Sequence, residues 1–353
     1  MAAINPDFTK ELKKYGTFDF SACYNCGTCT AICSLTNEKE SFPRNMVRYS
    51  VLGLKDQITS SLNPWLCYYC GECSTHCPQR AYPGELMMTL RRWLTARYDW
   101  TGLSGLLYKS PLLTIILFIV IAAVVVGYAV LQQFVPEQIM HGGHLFEIIA
   151  IAGVFSIILL PNIIRMWYFT LLKPGVKAPV KTYITALEDL FVHMFTQKRA
   201  LSCENNAFRW LEHFILVIGY LTLLFTTVFL NWFSTHSIVV IVLGYVVSAA
   251  LFIITFDFVN DRIKKSREVS RFSGPSDWFF VIWLFLMGLS AFVVRLLIDL
   301  NLLETTFWMY LVHLIILAQW ALVIVPFGKW THFLYRSFAM YFEKIALSTR
   351  ATQ

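Results

Sequence analysis

CYNCGTCTAIC at residues 23–33 recurs in pattern as CYYCGECSTHCP at residues 67–78. Each stretch carries four cysteines with the spacing C-x2-C-x2-C-x3-C, and the second ends in a Cys-Pro pair. We call these stretches the first and the second cysteine motif. In ferredoxins of the bacterial type, this spacing lets three thiolates bind one [4Fe-4S] cluster while the fourth binds the other cluster. The two motifs together predict two [4Fe-4S] clusters.

The predicted ligation is crossed, because each motif supplies its last cysteine to the cluster of the other motif. Cluster one is predicted to take Cys23, Cys26, Cys29 and Cys77, and cluster two is predicted to take Cys67, Cys70, Cys73 and Cys33. Ser34 stands where the first motif would usually have a proline, a difference that changes a turn and no ligand. Both motifs are therefore expected to fold as one domain.

Zinc and disulfides are the two other common uses of closely spaced cysteines. Structural zinc sites usually show two well-separated C-x2-C pairs rather than two quartets. Disulfides need an oxidising compartment, and residues 1–20 lack the apolar core of a secretory signal. Cys203, the ninth cysteine, stands alone and is interpreted as structural. Iron–sulfur binding is the interpretation that the spacing favours.

The composition indicates a large embedded portion. Of the 353 residues, 57% are hydrophobic and 14% are charged, whereas a soluble protein carries about 25% charged residues. The long apolar runs fall within residues 111–330, while eight of the nine cysteines fall within residues 1–100. We therefore predict a soluble dicluster head at residues 1–100, a linker at residues 101–110 and a membrane domain at residues 111–353, with no nucleic-acid partner.

Six apolar segments are each long enough to cross about 30 Å of hydrocarbon at about 1.5 Å per residue. The region between the two motifs shows helical periodicity and little alternation, so the head is also expected to be mainly helical. The predicted spans are residues 111–131, 145–170, 207–231, 238–258, 277–298 and 307–328.

The distribution of lysine and arginine predicts how the spans are oriented. Three loops lack both residue types, namely residues 132–144, 232–237 and 299–306. The alternate connections are basic, with Arg199 and Arg267 among their charges, and so is the tail after residue 328. The chain is thus predicted to be a multi-pass protein of the cytoplasmic membrane, with both termini and the head in the cytoplasm.

Three histidines lie in or beside the predicted spans. His213 is in the third span, His313 is in the sixth, and His332 follows the cytoplasmic end of the sixth. Ionisable groups in hydrocarbon are costly and usually functional, and neutral imidazoles in a helix bundle are natural axial ligands of haem iron. His213 and His332 lie at matching depth and are predicted to bind one haem b. The alternative is a hydrogen-bonded core histidine.

A second haem b needs its own ligands near the outer face. His313 lies about 28 Å from His332 along a straight helix. His144 is the predicted partner of His313, with His141 and His236 as fallbacks, although a solvated loop position is the plain alternative for His144. The predicted fold class is therefore all-α, with a helical dicluster ferredoxin-like head and a six-helix transmembrane cytochrome b bundle.

Four other residues are candidates for roles around these cofactors. His193 and Glu188 lie on a short amphipathic stretch and are quinone-site candidates, and a surface position is the alternative for His193. Arg209 and Arg165 lie near the inner ends of spans, where they could pair with haem propionates.

These residues carry a resemblance to known families. The two cysteine motifs, with FPR at residues 42–44, resemble the iron–sulfur C subunit of heterodisulfide reductases. RWLEH at residues 209–213 and PFGKWTH at residues 326–332 resemble the cytochrome b subunit of those enzymes and the gamma subunit of respiratory nitrate reductase. A fusion of both halves is similar to the C subunit of the quinone-interacting membrane-bound oxidoreductase of sulfur-metabolising prokaryotes.

The resemblance implies two haems b and a chain that oxidises menaquinol within an oxidoreductase complex. Electrons would pass through the flavin-containing iron–sulfur A and B subunits to adenylylsulfate reductase in sulfate respiration, and reverse flow would use the same parts. The nitrate reductase gamma subunit places two histidines ten residues apart on one helix, but Leu223 stands ten residues after His213. The second ligand of the outer haem is therefore not given by the resemblance.

Two alternative functions stay open. One is a membrane subunit of a heterodisulfide-reductase-like or sulfite-reducing complex with a different soluble partner. The other is a membrane-tethered iron–sulfur sensor or scaffold that binds no haem.

Overall fold

A computed structural model describes residues 4–16, 18–37, 40–198, 201, 207–266 and 270–351. Arg199, Cys203 and Arg267 lie outside these residues. Within them the chain is helical and contains no β-strand, which confirms the predicted all-α class.

The described residues of the head form seven helices, and the longest of them, α7, lies at the centre. They are α1 (Phe8–Leu12), α2 (Thr28–Ile32), α3 (Arg44–Leu52), α4 (Lys55–Ser60), α5 (Asn63–Leu66), α6 (Glu72–Thr75) and α7 (Pro83–Tyr98). Thirteen of the sixteen residues of α7 are buried. Phe8 and Trp93 pack edge to face at 5.1 Å between ring centres. A helix buried on nearly all sides forms the centre of a small domain.

Helix α8 (Leu103–Lys109) leads from the head into the bundle. The following helices are α9 (Pro111–Leu131), α10 (Pro136–Leu172), α11 (Val180–Thr185), α12 (Leu187–Thr196), α13 (Ala207–Val228), α14 (Ile238–Lys264) and α15 (Pro275–Asp299). Helix α16 begins with Trp308–Gln319, continues through a π-helical turn at Trp320–Ile324 and ends with Val325–Phe327, and α17 is Thr331–Ala351. The described residues contain six helices that are long and apolar enough to span a membrane, as predicted.

Proline marks the start of four of the long helices, because a first-turn residue needs no backbone N–H donor. These prolines are Pro83, Pro111, Pro136 and Pro275. The start at Pro136 extends the second span nine residues before the predicted boundary at residue 145. The polar residues of this extra segment favoured a loop by composition, yet they continue the helix beyond its apolar part.

Helix α17 joins the head to the bundle. Tyr335 of α17 packs against Trp65 and Tyr98 of the head, at 5.1 and 5.6 Å between ring centres. All three residues belong to one continuous apolar core, which also includes Met340 of α17. The last helix of the chain is therefore part of the core of the head, although it follows the last span.

A buried ion cluster also ties the head to the bundle. Arg92 of α7 contacts the Asp277 carboxylate of α15 at 2.6 Å, and Lys329, between α16 and α17, contacts the same carboxylate at 2.7 Å. Asp277 accepts a further hydrogen bond from the Gly274 backbone N–H at 2.9 Å. Each Asp277 interaction is strong because the side chain is 4% exposed and water screens it little.

The Asp277→Asn variant should be strongly destabilised. The amide leaves Arg92 and Lys329 buried without their counter-charge, and removing one partner of a buried pair costs about 3–5 kcal/mol. Thermal unfolding of the purified protein in detergent measures the loss. The control is Asp7→Asn, because the Asp7–Lys10 pair is exposed and such pairs contribute about 0–1 kcal/mol. Equal melting temperatures for the two variants would contradict the role of the ion cluster.

Candidate functional site

The two cysteine motifs have the same backbone conformation. The residue before the second cysteine is left-handed in both, with φ of 66° at Asn25 and 58° at Tyr69. A left-handed glycine follows that cysteine, with φ of 91° at Gly27 and 90° at Gly71, and a short helix then begins. Only glycine adopts such a φ without strain. The repeated turns curl each motif around its first three cysteines.

The first motif is joined by the last cysteine of the second. Burial raises the pKa of the Cys29 thiol, and the nearby Cys23, Cys26 and Cys77 thiols raise it further. Cys77 therefore lies close to the cysteines predicted for cluster one. Cys26 is exposed, and the neighbouring Tyr24 is 60% exposed. This group of cysteines is at the surface of the head.

The second motif is joined by the last cysteine of the first. Burial raises the pKa of the Cys33 thiol to about 11, and Cys67 and Cys70 contribute to the rise. The pKa of Cys73 is likewise raised by burial and then by Cys67, Cys70 and Cys33. The electrostatic interactions of the thiols thus group the fourth cysteine of each motif with the first three of the other, and Cys29 of the first motif also acts on Cys73. Cys67 is buried, so this group is deeper than the first.

The eight cysteines of the motifs form no disulfide within the described residues. In the part of the chain that the structure describes, no three His, Cys, Asp or Glu side chains converge closely enough to hold a single metal ion. Ligands of a [4Fe-4S] cluster surround a core of several atoms, whereas zinc ligands each lie about 2.0–2.3 Å from one ion.

The second motif also holds a buried tyrosine–carboxylate pair. The Tyr69 hydroxyl donates a hydrogen bond to Glu85 Oε1 of α7. Burial raises the pKa of the Glu85 carboxyl to about 7. This contact fixes the motif on α7, since Tyr69 lies between two of its cysteines.

His213 and His332 are brought together as predicted, with ring centres 6.4 Å apart. They line a cleft between α13, α14, α15 and α17 that contains about 1570 Å³ of empty space, part of it open to the outside. We call it the histidine cleft. Its apolar walls include Leu216, Tyr220, Phe258, Leu284 and Trp320. This wall composition suits a flat apolar group between the two imidazoles.

The break between α16 and α17 orients His332. The helix stops after Pro326 and Phe327, where Gly328 is extended, and α17 begins at Thr331. The Lys329 carbonyl lies in the turn between the two helices, where it accepts the His332 backbone N–H at 3.1 Å and a second hydrogen bond from His332 Nδ1 at 2.5 Å. A metal-binding histidine commonly donates its other ring N–H to a backbone carbonyl in this way. The Nε2 atom of His332 is left for a ligand.

The second cysteine motif forms one wall of the histidine cleft. Tyr68 and Tyr69 of the motif line it, together with Arg91 and Met88 of α7. No local signal in the sequence indicates this contact, because it joins the head to helices more than a hundred residues further along the chain.

Each of the two predicted outer histidines has a polar neighbour of its own. His313 is buried, and its Nδ1 atom lies 2.8 Å from the Ser290 hydroxyl. His144 lies 3.6 Å from the Glu147 carboxylate, and the described residues include no ring contact between His144 and His313. The fallback candidates His141 and His236 are exposed.

The remaining candidates divide into those at the cleft and those away from it. Arg209 lines the cleft, whereas the Arg165 guanidinium donates to the Tyr98 carbonyl at 2.8 Å and lies outside it. Neither His193, which is half-buried, nor Glu188, which is exposed, is among the lining residues. Gln197, one turn beyond His193, does line the cleft.

Comparison with known proteins identifies the head. Residues 22–82 match the family model of the 4Fe-4S dicluster domain. A protein of Archaeoglobus profundus that is named as similar to the heterodisulfide reductase C subunit is 32% identical over 88 residues, which are 25% of this chain and 47% of the relative. The iron–sulfur C subunit of the CoB–CoM heterodisulfide reductase of Methanopyrus kandleri is 33% identical over 84 residues, or 22% of this chain and 44% of the relative.

A third relative is the C subunit of the H(2):CoB-CoM heterodisulfide,ferredoxin reductase of Methanothermobacter marburgensis. It is 32% identical over 77 residues, which are 22% of this chain and 42% of the relative. The chain thus spans less than half the length of these curated relatives. No solved structure matches. The head is an iron–sulfur dicluster domain similar to the C subunit of heterodisulfide reductase, as the cysteine spacing predicted.

Crossed ligation can be tested with Cys77→Ser. If Cys77 binds cluster one, this variant should lose about half of the iron and should reproduce the electron paramagnetic resonance spectrum of Cys26→Ser. The matched control is Cys33→Ser, which should reproduce the spectrum of Cys70→Ser. A Cys77→Ser spectrum that matches Cys70→Ser instead would show that each motif binds its own cluster.

Proposed function

We propose that this chain is the membrane electron-transfer subunit of an oxidoreductase complex, and that His213 and His332 are axial ligands of an inner haem b. The single observation that carries the proposal is that the second cysteine motif forms a wall of the cleft that holds both histidines. Haem b and [4Fe-4S] clusters supply one-electron carriers. In this proposal the two kinds of carrier would be neighbours.

The spacing of the two imidazoles fits a shared iron. Ligation would put the ring centres about 6.3 Å apart, given about 2 Å for each metal–imidazole bond, as in zinc sites, and about 1.2 Å from nitrogen to ring centre. The distance between the centres is 6.4 Å. The bond from His332 Nδ1 to the Lys329 carbonyl fixes the tautomer that coordination through Nε2 requires.

The charge of the histidine cleft fits the two propionates of haem b. Five cationic side chains line it, but Asp261 is the acidic side chain among the described lining residues. The cationic residues are Arg91, Arg209, Arg262, Lys329 and Arg336. Arginine and lysine bind carboxylates through charge-assisted hydrogen bonds. Arg209 was a sequence candidate for this role, and Arg262 and Arg336 extend it, because Lys329 pairs with Asp277 and Arg91 donates to backbone carbonyls.

For the outer haem b we retain His313 as one ligand, because the Ser290 hydroxyl occupies its Nδ1 atom and leaves Nε2 for iron. His144 stays the predicted second ligand. Its Nδ1 atom lies 3.6 Å from the Glu147 carboxylate.

The resemblance supports menaquinol as the electron donor, the flavin-containing iron–sulfur A and B subunits as direct partners and adenylylsulfate reductase as the indirect one. His193 and Glu188 remain quinone-site candidates near the cleft.

The basic connections support a head on the cytoplasmic side of the membrane. The exposed Cys26 supports electron transfer to a soluble partner from cluster one.

A second candidate is a membrane subunit of a heterodisulfide-reductase-like complex. It is favoured by the relatives, whose names are those of heterodisulfide reductase subunits. The two candidates share the same carriers and differ in the soluble partner.

Removing either inner histidine should remove the inner haem. We expect His213→Ala and His332→Ala each to lose about half of the haem per chain, because an axial ligand is missing. The measurements are the pyridine haemochrome assay and the reduced-minus-oxidised spectrum. His236→Ala, at an exposed position, is the control and should keep all haem. Unchanged haem in both cleft variants would refute the ligand roles, and wild-type protein without haem would favour a sensor or scaffold.

Affinity purification of the chain from its native membrane tests donor and partner together. We expect flavin-containing iron–sulfur subunits to co-purify, and a menaquinol analogue to reduce the haem bands. Co-purified heterodisulfide reductase subunits would favour the second candidate. Haem bands that stay oxidised in the presence of the quinol would argue against a quinol site.

A further inference from the structure

Arg91 is a buried cation held against the second cysteine motif. Arg91 lies on α7, and the residue is 5% exposed. The guanidinium donates to the Pro64 carbonyl at 2.7 Å and to the Cys67 carbonyl at 2.5 Å. A longer contact of 3.5 Å reaches the Trp65 carbonyl. Arg91 therefore holds the backbone that enters the second motif.

Arg91 has no carboxylate partner within the described residues. The groups of the second motif that act electrostatically on it are the Cys67 thiol and the Tyr69 hydroxyl. The adjacent Arg92 differs, because it pairs with Asp277 at 2.6 Å. An arginine cannot lose its proton in a protein, and a buried charge without compensation is costly. The structure thus lacks a carboxylate counter-charge where Arg91 requires one.

Two further contacts place Arg91 between the carrier sites. It lines the histidine cleft beside His332, and it is near the first ligand predicted for cluster two. A [4Fe-4S] core with four thiolates carries a net negative charge that grows on reduction, and net charge, hydrogen bonds and burial set its reduction potential. A fixed buried cation beside such a cluster stabilises its reduced form.

We propose that Arg91 is the counter-charge of cluster two and holds its reduction potential above the value that its burial alone would give. This inference rests on the proposed function, because it presumes a cluster at Cys33, Cys67, Cys70 and Cys73. Arg91 is a positioning and tuning residue, since it contacts the motif backbone and not the reacting atoms. It makes cluster two, rather than the more exposed cluster one, the better acceptor for an electron from the cleft.

The first motif has no equivalent among the described residues. Arg44 approaches Gly27 there, and a Cβ at that glycine would lie 3.1 Å from an Arg44 guanidinium nitrogen. Arg44 is half-buried, however. Water screens a half-exposed charge far more than a buried one. A change at Arg91 should therefore act on one cluster and spare the other.

The test is a redox titration of the full-length protein followed by electron paramagnetic resonance. Arg91→Gln removes the charge, Arg91→Lys keeps it with fewer donors, and Arg97→Gln removes an exposed charge from the same helix. Cys26→Ser and Cys70→Ser assign the two cluster signals. Iron content per chain is measured for every variant, because it reports the loss of a cluster separately from a shift in potential.

We expect Arg91→Gln to shift the midpoint of cluster two to a more negative value. At the wild-type midpoint, the reduced-to-oxidised ratio of cluster two should fall about tenfold, which is about 59 mV for one electron. Arg91→Lys should keep most of the wild-type potential, and Arg97→Gln should leave both clusters unchanged.

Three outcomes would overturn the inference: an unshifted cluster two in Arg91→Gln, equal shifts of both clusters, or an Arg91→Lys protein with full iron and the Arg91→Gln potential. If Arg91→Gln does not fold, Arg91→Met, which also removes the charge, takes its place in the same titration. A wild-type protein without [4Fe-4S] signals would instead refute the proposed function.

Discussion

The burial of charge between head and bundle determines how the two parts of this protein fit together. Arg92 from the head and Lys329 from the end of the sixth span share the Asp277 carboxylate at the start of the fifth. None of the three charges can be separated from the others without leaving an uncompensated ion in a nearly dry environment. The cluster therefore accepts one relative placement of the head, and that placement puts the second cysteine motif beside the histidine cleft.

Lys329 shows how a structural and a functional requirement meet in one residue. Its ammonium group is in the ion cluster, while its backbone carbonyl accepts the hydrogen bond from His332. The same carbonyl also accepts the His332 backbone N–H at 3.1 Å, in the turn that follows the extended Gly328. The bond from His332 Nδ1 sets the tautomer of the imidazole.

Much of the molecule could be predicted from local patterns. The cysteine spacing indicated the dicluster head, and the apolar runs indicated six spans. The matching depths of His213 and His332 indicated that the two side chains lie close together. Each of these depends on periodicity or spacing along a short segment. The start of α10 at Pro136 was missed because the polar residues before residue 145 have a loop-like composition, and helix formation outside the hydrocarbon does not require an apolar run.

The contacts that connect the carrier sites could not be predicted in this way. Arg91 and Arg92 are adjacent in sequence and look alike, yet one holds the second motif and the other binds a carboxylate 185 residues away. Their different roles depend on which carbonyls and carboxylates the tertiary fold brings to each side of α7. A single sequence contains no local signal of such long-range pairs.

The proposed inner and outer haem sites also differ in how far the protein prepares their histidines. At the inner site, both imidazoles lie at a spacing that suits iron, and cationic side chains surround the cleft. At the outer site, His313 is fixed by Ser290 whereas His144 turns to Glu147. A preformed site binds its ligand without first reorganising side chains, so it retains more of its binding free energy. The inner site should therefore bind haem more tightly than the outer one, which follows from the arrangement of the histidines alone.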